Sequence, residues 1–257
     1  MSAQTGSSGR QPVALVTGGA RRVGRAICLA LSRAGVEVHF SFLNSDEESR
    51  LLLADLCTNT PCSCAHKLDL RDVCAVEAFA GAWAASGRAC DILVHNASIY
   101  APAAVSEITP ELYERFHRIN ALSPLLLTKH LAPKLRRSLL PGGGAVVAMC
   151  DIHAMGIPRA RFGAYSMSKA ALVEMVRTLA IELAPEVRVN GVAPGVVAWP
   201  EEGFESDAGA QRAYLERVPL KRAGTPEDAA EAVRWLAMDA RYTTGEILRV
   251  DGGRSLR

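Results

Sequence analysis

Tyr165 and Lys169 stand four positions apart in a run, Gly163 to Ala171, with the composition of a helix. On a helix, residues i and i+4 lie one above the other on the same face, so a phenol and an ammonium are neighbours. The nearby positive charge favours phenolate and lowers the tyrosine pKa. That makes the phenol a proton donor or acceptor usable near neutral pH. Taken alone, the pair reads as an exposed tyrosine and a solvated lysine on an amphipathic helix. The rest of the chain decides.

A second group with chemical meaning is Thr17-Gly-Gly-Ala-Arg-Arg-Val-Gly24. It joins an apolar, strand-favouring run, Pro12 to Thr17, to a segment with apolar residues at helical spacing, Arg22 to Arg33. Glycines such as Gly18 and Gly24 let a ligand approach the backbone, and the helix N-terminus offers unpaired amides to a pyrophosphate. Arg21, Arg22 and Val23 complete this candidate dinucleotide turn. The next strand, Val36 to Phe42, has no acid at its tip to hold ribose hydroxyls. Arg21, Asn44 and Ser45 could instead accept a 2'-phosphate, so NADPH is favoured over NADH. Asp46, Glu47 and Glu48 oppose that reading, since they place negative charge in the first turn of a second helix.

The elements that must position these groups alternate. Strands are expected over Cys64–Leu70, Ile92–His95, Ala145–Cys150, Val187–Val192 and Glu246–Val250. Helices are expected over Asp72–Ser86, Phe162–Ala184 and Pro226–Met238, and in a Pro-interrupted region from Thr109 to Arg137. Such alternation implies βαβ units with right-handed crossovers. The expected fold is α/β: a single doubly wound Rossmann domain over residues 12–257 with a mainly parallel sheet of about seven strands. Residues 1–11 read as a disordered tail, and they lack the apolar run of a signal peptide.

With 257 residues, 49% of them hydrophobic and 22% charged, the chain can bury one large core. A net charge of +2 is too near balance to suggest nucleic acid. No stretch approaches the roughly 18 apolar residues of a membrane span. The seven cysteines are an odd number in apolar or helical contexts, and no CxxC or His-x-x-x-His partner stands near the close pair Cys62-Ser-Cys64. Reduced thiols in a cytoplasmic protein and no metal site are expected. His39, His66, His117 and His130 look like surface or helix-face residues and are assigned no role. His95 reads as a strand-end variant and His153 as a loop residue near the candidate pocket.

Seven motifs stand in one order: TGGARRVG, Asp69-Leu70, His95-Asn-Ala-Ser98, Asn120, Tyr165-x-x-x-Lys169, Asn190-Gly-Val-Ala-Pro-Gly195 and Asp251-Gly-Gly253. In this the chain resembles the short-chain dehydrogenases/reductases over nearly its full length. Within them it is most similar to pteridine and dihydromonapterin reductases. The narrower likeness rests on Arg22, where many relatives carry glycine, and on Asn96-Ala-Ser98 followed by Tyr100. It rests also on Asp151, where most relatives use serine, on Pro194 to Pro200, and on the Asp251 to Arg257 ending. The strand-tip basic pair of some pteridine reductases is absent, with Leu43-Asn44 in its place.

The resemblance implies roles residue by residue. Tyr165 would be the acid, assisted by Asp151, while Lys169 binds the nicotinamide ribose and lowers the Tyr165 pKa. Asn120 would bend its helix and anchor a water. Asp69 and Leu70 would contact adenine, and Asn96 and Ala97 the strand–cofactor junction. Pro194, Gly195 and Val197 would border the cofactor. Arg22 would project a cation toward phosphate and the polar edge of a pterin, and Ser98 would hydrogen-bond cofactor or substrate. Tyr100 would stack on the heterocycle. Trp199 would be a lid residue touching substrate or a hydrophobic plug, within a lid over about 196–217. Asp151 suits ring N–H groups or a proton relay, because an ionised carboxylate and a ketone oxygen are both acceptors. It lies 14 positions before Tyr165 (165 − 151) instead of the usual 13, so its reach depends on an extra residue within Gly156 to Gly163.

The expected function is NADPH-dependent reduction of a dihydropterin or dihydrofolate. A carbonyl or alcohol oxidoreductase acting on 3-oxoacyl or sugar substrates is the alternative, and a non-catalytic NADP-binding sensor stands behind it. The family resemblance further implies a homotetramer, with Arg257 approaching a neighbouring pocket.

Overall fold

The computed structural model describes residues 10–200 and 204–256. Arg257 and residues 1–9 of the expected tail lie outside the described residues. Arg10, inside the expected tail, is engaged: its guanidinium donates to both oxygens of the buried Asp91 at 2.6 and 3.0 Å.

Seven strands run through the chain: β1 (Val13–Val16), β2 (Glu37–Phe42), β3 (Cys64–Lys67), β4 (Ile92–His95), β5 (Gly144–Met149), β6 (Val187–Pro194) and β7 (Ile247–Val250). They form one parallel sheet in the order β3-β2-β1-β4-β5-β6-β7. The order reverses between β1 and β4, which opens a crevice beyond their carboxyl ends. Among the described residues, eight α-helices pack around the sheet: α1 (Arg22–Arg33), α2 (Asp46–Cys57), α3 (Val73–Ala85), α4 (Pro110–His117), α5 (Ser123–Leu135), α6 (Gly163–Glu182), α7 (Ala208–Glu216) and α8 (Pro226–Met238). No helix among the described residues is long and apolar enough to cross a membrane.

The central strands are apolar on both faces because both faces are covered. Val13 and Leu15 of β1 belong to the core beneath α3, α5 and α6, whereas Ala14 and Val16 belong to the core beneath α1 and α8. β5 divides in the same way, with Val146 and Ala148 on one side and Ala145, Val147 and Met149 on the other. Local signals set several helix starts. Asp72 accepts from the Ala75 amide at 3.0 Å, Thr109 caps α4 ahead of Pro110, and Thr225 and Asp228 cap α8 reciprocally.

Two elements differ from expectation. The region from Thr109 to Arg137 is two helices joined by a π-helical turn, Arg118–Leu122, with Asn120 at its centre. α7 arises in the segment expected only as a lid; Asp207 caps it through the Ala210 amide at 2.8 Å.

Candidate active site

The turn after β1 is built for close approach. Gly18 and Arg22 both have positive φ, 64° and 51°. Arginine rarely adopts this conformation, and it costs on the order of 1–3 kcal/mol. A Cβ on Gly24 would stand 2.1 Å from the Gly18 carbonyl oxygen, and one on Gly18 would stand 2.9 Å from the Ala97 Cα. The Asn96 carboxamide donates to the Thr17 and Gly18 carbonyls at 3.0 and 2.9 Å. The Thr17 hydroxyl accepts from the Asn96 and Ala97 amides at 3.0 and 3.1 Å. Thr17 is a member of this cradle that the sequence reading passed over, although a polar residue closing an apolar strand could have marked it. No side chain caps α1, and no acid stands in its first turn. Its amides therefore remain available to an anion, and the turn fits a dinucleotide pyrophosphate.

This turn walls a cavity of about 620 Å³ that also takes in Asn96, Ala97, Ser98, Tyr100, Asp151, Tyr165, Lys169, Pro194, Gly195 and Val197. Most of the expected site residues are thus brought together. Six are not on its wall: Asn44, Ser45, Asp69, Leu70, Asn120 and Trp199. Asn44 and Ser45 follow β2 outside it, whereas Arg21 is on the wall, with its guanidinium 3.6 Å from Glu48. Leu70 is buried in the core. Asp69 is held by Arg71, whose amide donates at 2.9 Å and whose guanidinium donates at 2.6 Å.

At the centre, the Tyr165 hydroxyl donates to Asp151 Oδ2 at 2.6 Å. Asp151 Oδ1 accepts from the His153 amide at 2.7 Å. The 14-residue spacing is absorbed by a loop containing two left-handed positions, Gly156 at φ 92° and Arg161 at φ 66°. Asp151 therefore reaches. The expectation for the Tyr165 pKa is overturned: it lies well above the usual tyrosine value. Burial is the main cause, followed by the charge and the hydrogen bond of Asp151. The Lys169 ammonium donates to the Met149 carbonyl at 2.7 Å, and burial pulls its own pKa down. Sharing a helix face did not settle which charge the phenol feels, because the carboxylate comes from the end of β5. The phenol is held protonated and is a donor.

Asn120 acts through neighbours. Its Oδ1 accepts from Ser98 Oγ and the Ile99 amide, both at 3.1 Å, and its Nδ2 donates to Ser168 Oγ at 3.0 Å and the Ile99 carbonyl at 3.2 Å. With its carboxamide occupied in this way, Asn120 ties the Ser98 segment to α6. His95 is buried and hydrogen-bonded to Thr128 Oγ1 at 2.8 Å, and burial lowers its pKa to about 3.

The outer wall makes contacts that the sequence did not disclose. The Arg22 guanidinium donates to the Ala198 and Trp199 carbonyls, both at 2.9 Å, so it holds the segment after β6. The Trp199 ring lies off the cavity wall, edge-on to Tyr214 at 5.5 Å. Tyr100 stacks on Phe162 at 4.8 Å and meets Tyr165 edge-on at 4.9 Å. Its hydroxyl donates to Glu205 Oε2 at 2.9 Å. Arg159 hydrogen-bonds both the Tyr100 hydroxyl and Glu205, and its guanidinium lies 4.4 Å from the Phe162 ring centre. Arg159 and Glu205 carried no sequence signal, since each is a charged residue in an irregular segment and only folding brings them together.

Comparison with known proteins agrees with this geometry. A family described as enoyl-(acyl carrier protein) reductase (adh_short_C2) matches residues 18–255. The chain is 34% identical to a glucose and ribitol dehydrogenase homolog of Oryza sativa subsp. japonica, over 95% of this chain and 86% of the relative. It is 33% identical to human dehydrogenase/reductase SDR family member 4, over 98% and 91% respectively. A crystal structure of a blue fluorescent protein from a metagenomic library, in complex with NADPH, superposes with a TM-score of 0.85 at 29% identity, covering 95% of this chain and 97% of that one. Family match, Rossmann topology and the Tyr165–Lys169 site together make the chain an oxidoreductase of the short-chain dehydrogenase/reductase superfamily.

Proposed function

We propose that the protein is an NADPH-dependent reductase whose substrate is a planar nitrogen heterocycle of the dihydropterin or dihydrofolate type. The Tyr165–Asp151 contact carries this reading. A carboxylate 2.6 Å from the proton donor repels a ketone oxygen but accepts from ring N–H groups. The Tyr100 ring on the cavity wall, backed by Phe162, suits a flat ring. NADPH is supported by the uncapped α1 terminus and by the cofactor of the structural relative.

The bound dinucleotide supplies the hydride for a C=N carbon. Tyr165 gives its proton to the nitrogen. A tyrosinate beside Asp151 would set two anions together, so the proton must be replaced as it leaves. Asp151, half-buried on the cavity wall, is placed to relay it. Lys169, fixed by the Met149 carbonyl, holds the ribose side of the site.

The second reading is a carbonyl or alcohol oxidoreductase, and the relatives' names favour it over the pterin reading. NADPH oxidation with dihydropterins, dihydrofolate, ketones and sugars side by side separates the two. Turnover of the heterocycles with the ketones and sugars silent supports the first; the reverse overturns it. Under either reading, Tyr165→Phe is expected to lower kcat by roughly 10²–10⁴-fold with the Kd for NADPH little changed. Unchanged turnover would remove Tyr165 from the mechanism. We also propose a homotetramer, supported by exposed apolar residues Leu125 on α5 and Met167 and Ile181 on α6. Light scattering tests this.

A further inference from the structure

The sheet edge formed by β2 and β3 carries a second cluster of chemically active side chains. In a parallel ladder, paired residues point to the same face, as do residues two apart on one strand. His39 pairs with Cys64 and Ser41 with His66. Glu37 and His39 therefore share a face with Cys64 and His66. His39 is not the surface residue its sequence context suggested: it is 1% exposed, beneath the edge of Trp83 at 5.0 Å. His66 is half-buried against Phe79 at 5.3 Å.

One ring nitrogen of each histidine and the Cys64 sulfur lie within 4.8 Å of one another. His39 Nε2 is 2.7 Å from Glu37 Oε1. A carboxylate only accepts, so Nε2 carries the proton and Nδ1 is left with a lone pair. That lone pair faces His66 Nε2 at 3.1 Å. Imidazole oriented through its far nitrogen by a carboxylate is the arrangement found behind metal-ligating histidines. Both rings are kept neutral, which ligation requires. Burial is the main cause in each, with His66 lowered to about 4.

We propose that His39, Cys64 and His66 form a binding site for a thiophilic divalent transition metal, Zn²⁺ in particular, with Glu37 orienting His39 and a fourth position left to water. Zinc bonds of about 2.0–2.1 Å to nitrogen and 2.3 Å to sulfur put tetrahedral donors roughly 3.4–3.7 Å apart. The histidine pair is a few tenths of an ångström tighter than this. Cys64, half-buried on the edge strand, closes the remainder by side-chain rotation. On binding, the Cys64 thiol releases one proton to solvent, and His66 moves its single proton from Nε2 to Nδ1. The ion would pin the edge strand β3 to β2, just ahead of Asp69.

The test uses the full chain stripped of metal and titrated with Co²⁺ as a spectroscopic probe, then with Zn²⁺ in competition. One Co²⁺ per chain is expected, with a thiolate-to-cobalt absorption band that Zn²⁺ bleaches, together with a rise in Tm. Cys64→Ser should abolish the band, and His66→Gln should weaken Zn²⁺ binding at least tenfold. Glu37→Gln should weaken it about 10–100-fold, as loss of an orienting partner does. Cys62→Ser should leave all of this unchanged. Absence of the band, or a band that survives Cys64→Ser and disappears in Cys62→Ser, overturns the proposal. Cys64 and His66 are incompletely buried, so these variants are expected to fold, and retained circular dichroism checks that they do.

Discussion

The two walls of the cavity are made differently. On the side of β1 and β4, contacts are short and mostly to backbone: Asn96 and Thr17 clamp the glycine turn, and added Cβ atoms would collide with main chain. On the other side, long charged side chains meet across irregular segments: Arg22 on the carbonyls of Ala198 and Trp199, and Arg159 on Tyr100 and Glu205. The first wall is pre-organised at no further entropic cost. The second orders several flexible side chains to make each contact, so it can open and be rebuilt for different substrates.

The comparison can be broken most severely at Gly24. Gly24→Ala puts a methyl 2.1 Å from the Gly18 carbonyl oxygen, where only backbone can yield. NADPH affinity measured by fluorescence is expected to fall at least 100-fold, alongside a loss of about 1–3 kcal/mol in stability. A normal Kd would mean that the turn is softer than its contacts imply.

Asp151→Asn sharpens the contrast at the centre. Removing the charge lowers the Tyr165 pKa, since Asp151 is the main cause of its elevation after burial. Turnover should drop about 10–100-fold, and the basic limb of the kcat–pH profile should move to lower pH. A limb that stays in place would show that another group governs it.

Arg159→Met tests the adjustable wall. Its partners are partly exposed, so the contact is worth about 1 kcal/mol. KM is expected to rise roughly three- to tenfold with NADPH affinity unchanged. A matching loss of NADPH affinity would mean that the walls are coupled.

A pH-dependent effect lies behind the fixed wall, where His95 closes β4 directly before Asn96. Its folded pKa is about 3, below an unfolded value of about 6.5. Between these values the unfolded chain binds more protons, so stability rises with pH there and is lost as pH falls. From pH 7 to pH 5 this is about 2 kcal/mol, or roughly 5 °C in Tm by calorimetry, and His95→Gln should flatten the slope. His66, lowered to about 4, acts in the same direction.

The fold was largely legible because period and punctuation agree. α1 and α8 begin and end where their apolar spacing and their Gly, Thr and Pro residues indicate. The cofactor wall was legible for a related reason: its residues are adjacent in sequence or stand at strand ends. The Tyr165 pKa was misjudged because burial, its main cause, comes only from tertiary packing, and its next cause, Asp151, is 14 residues away across a loop whose left-handed turns no composition discloses. α7 was missed because its signal is a single cap, Asp207, with little apolar periodicity behind it.

By itself, then, the sequence determined the alternation of strands and helices, the glycine turn and the placing of Tyr165 and Lys169 on one helix face. These follow from local sterics and from periods of two and 3.6 residues. Only the tertiary structure decided which charge meets the phenol, where Arg22 and Arg159 point, and that His39, Cys64 and His66 converge. Such contacts join distant segments, and their geometry depends on strand register and loop closure, which no short stretch of chain encodes.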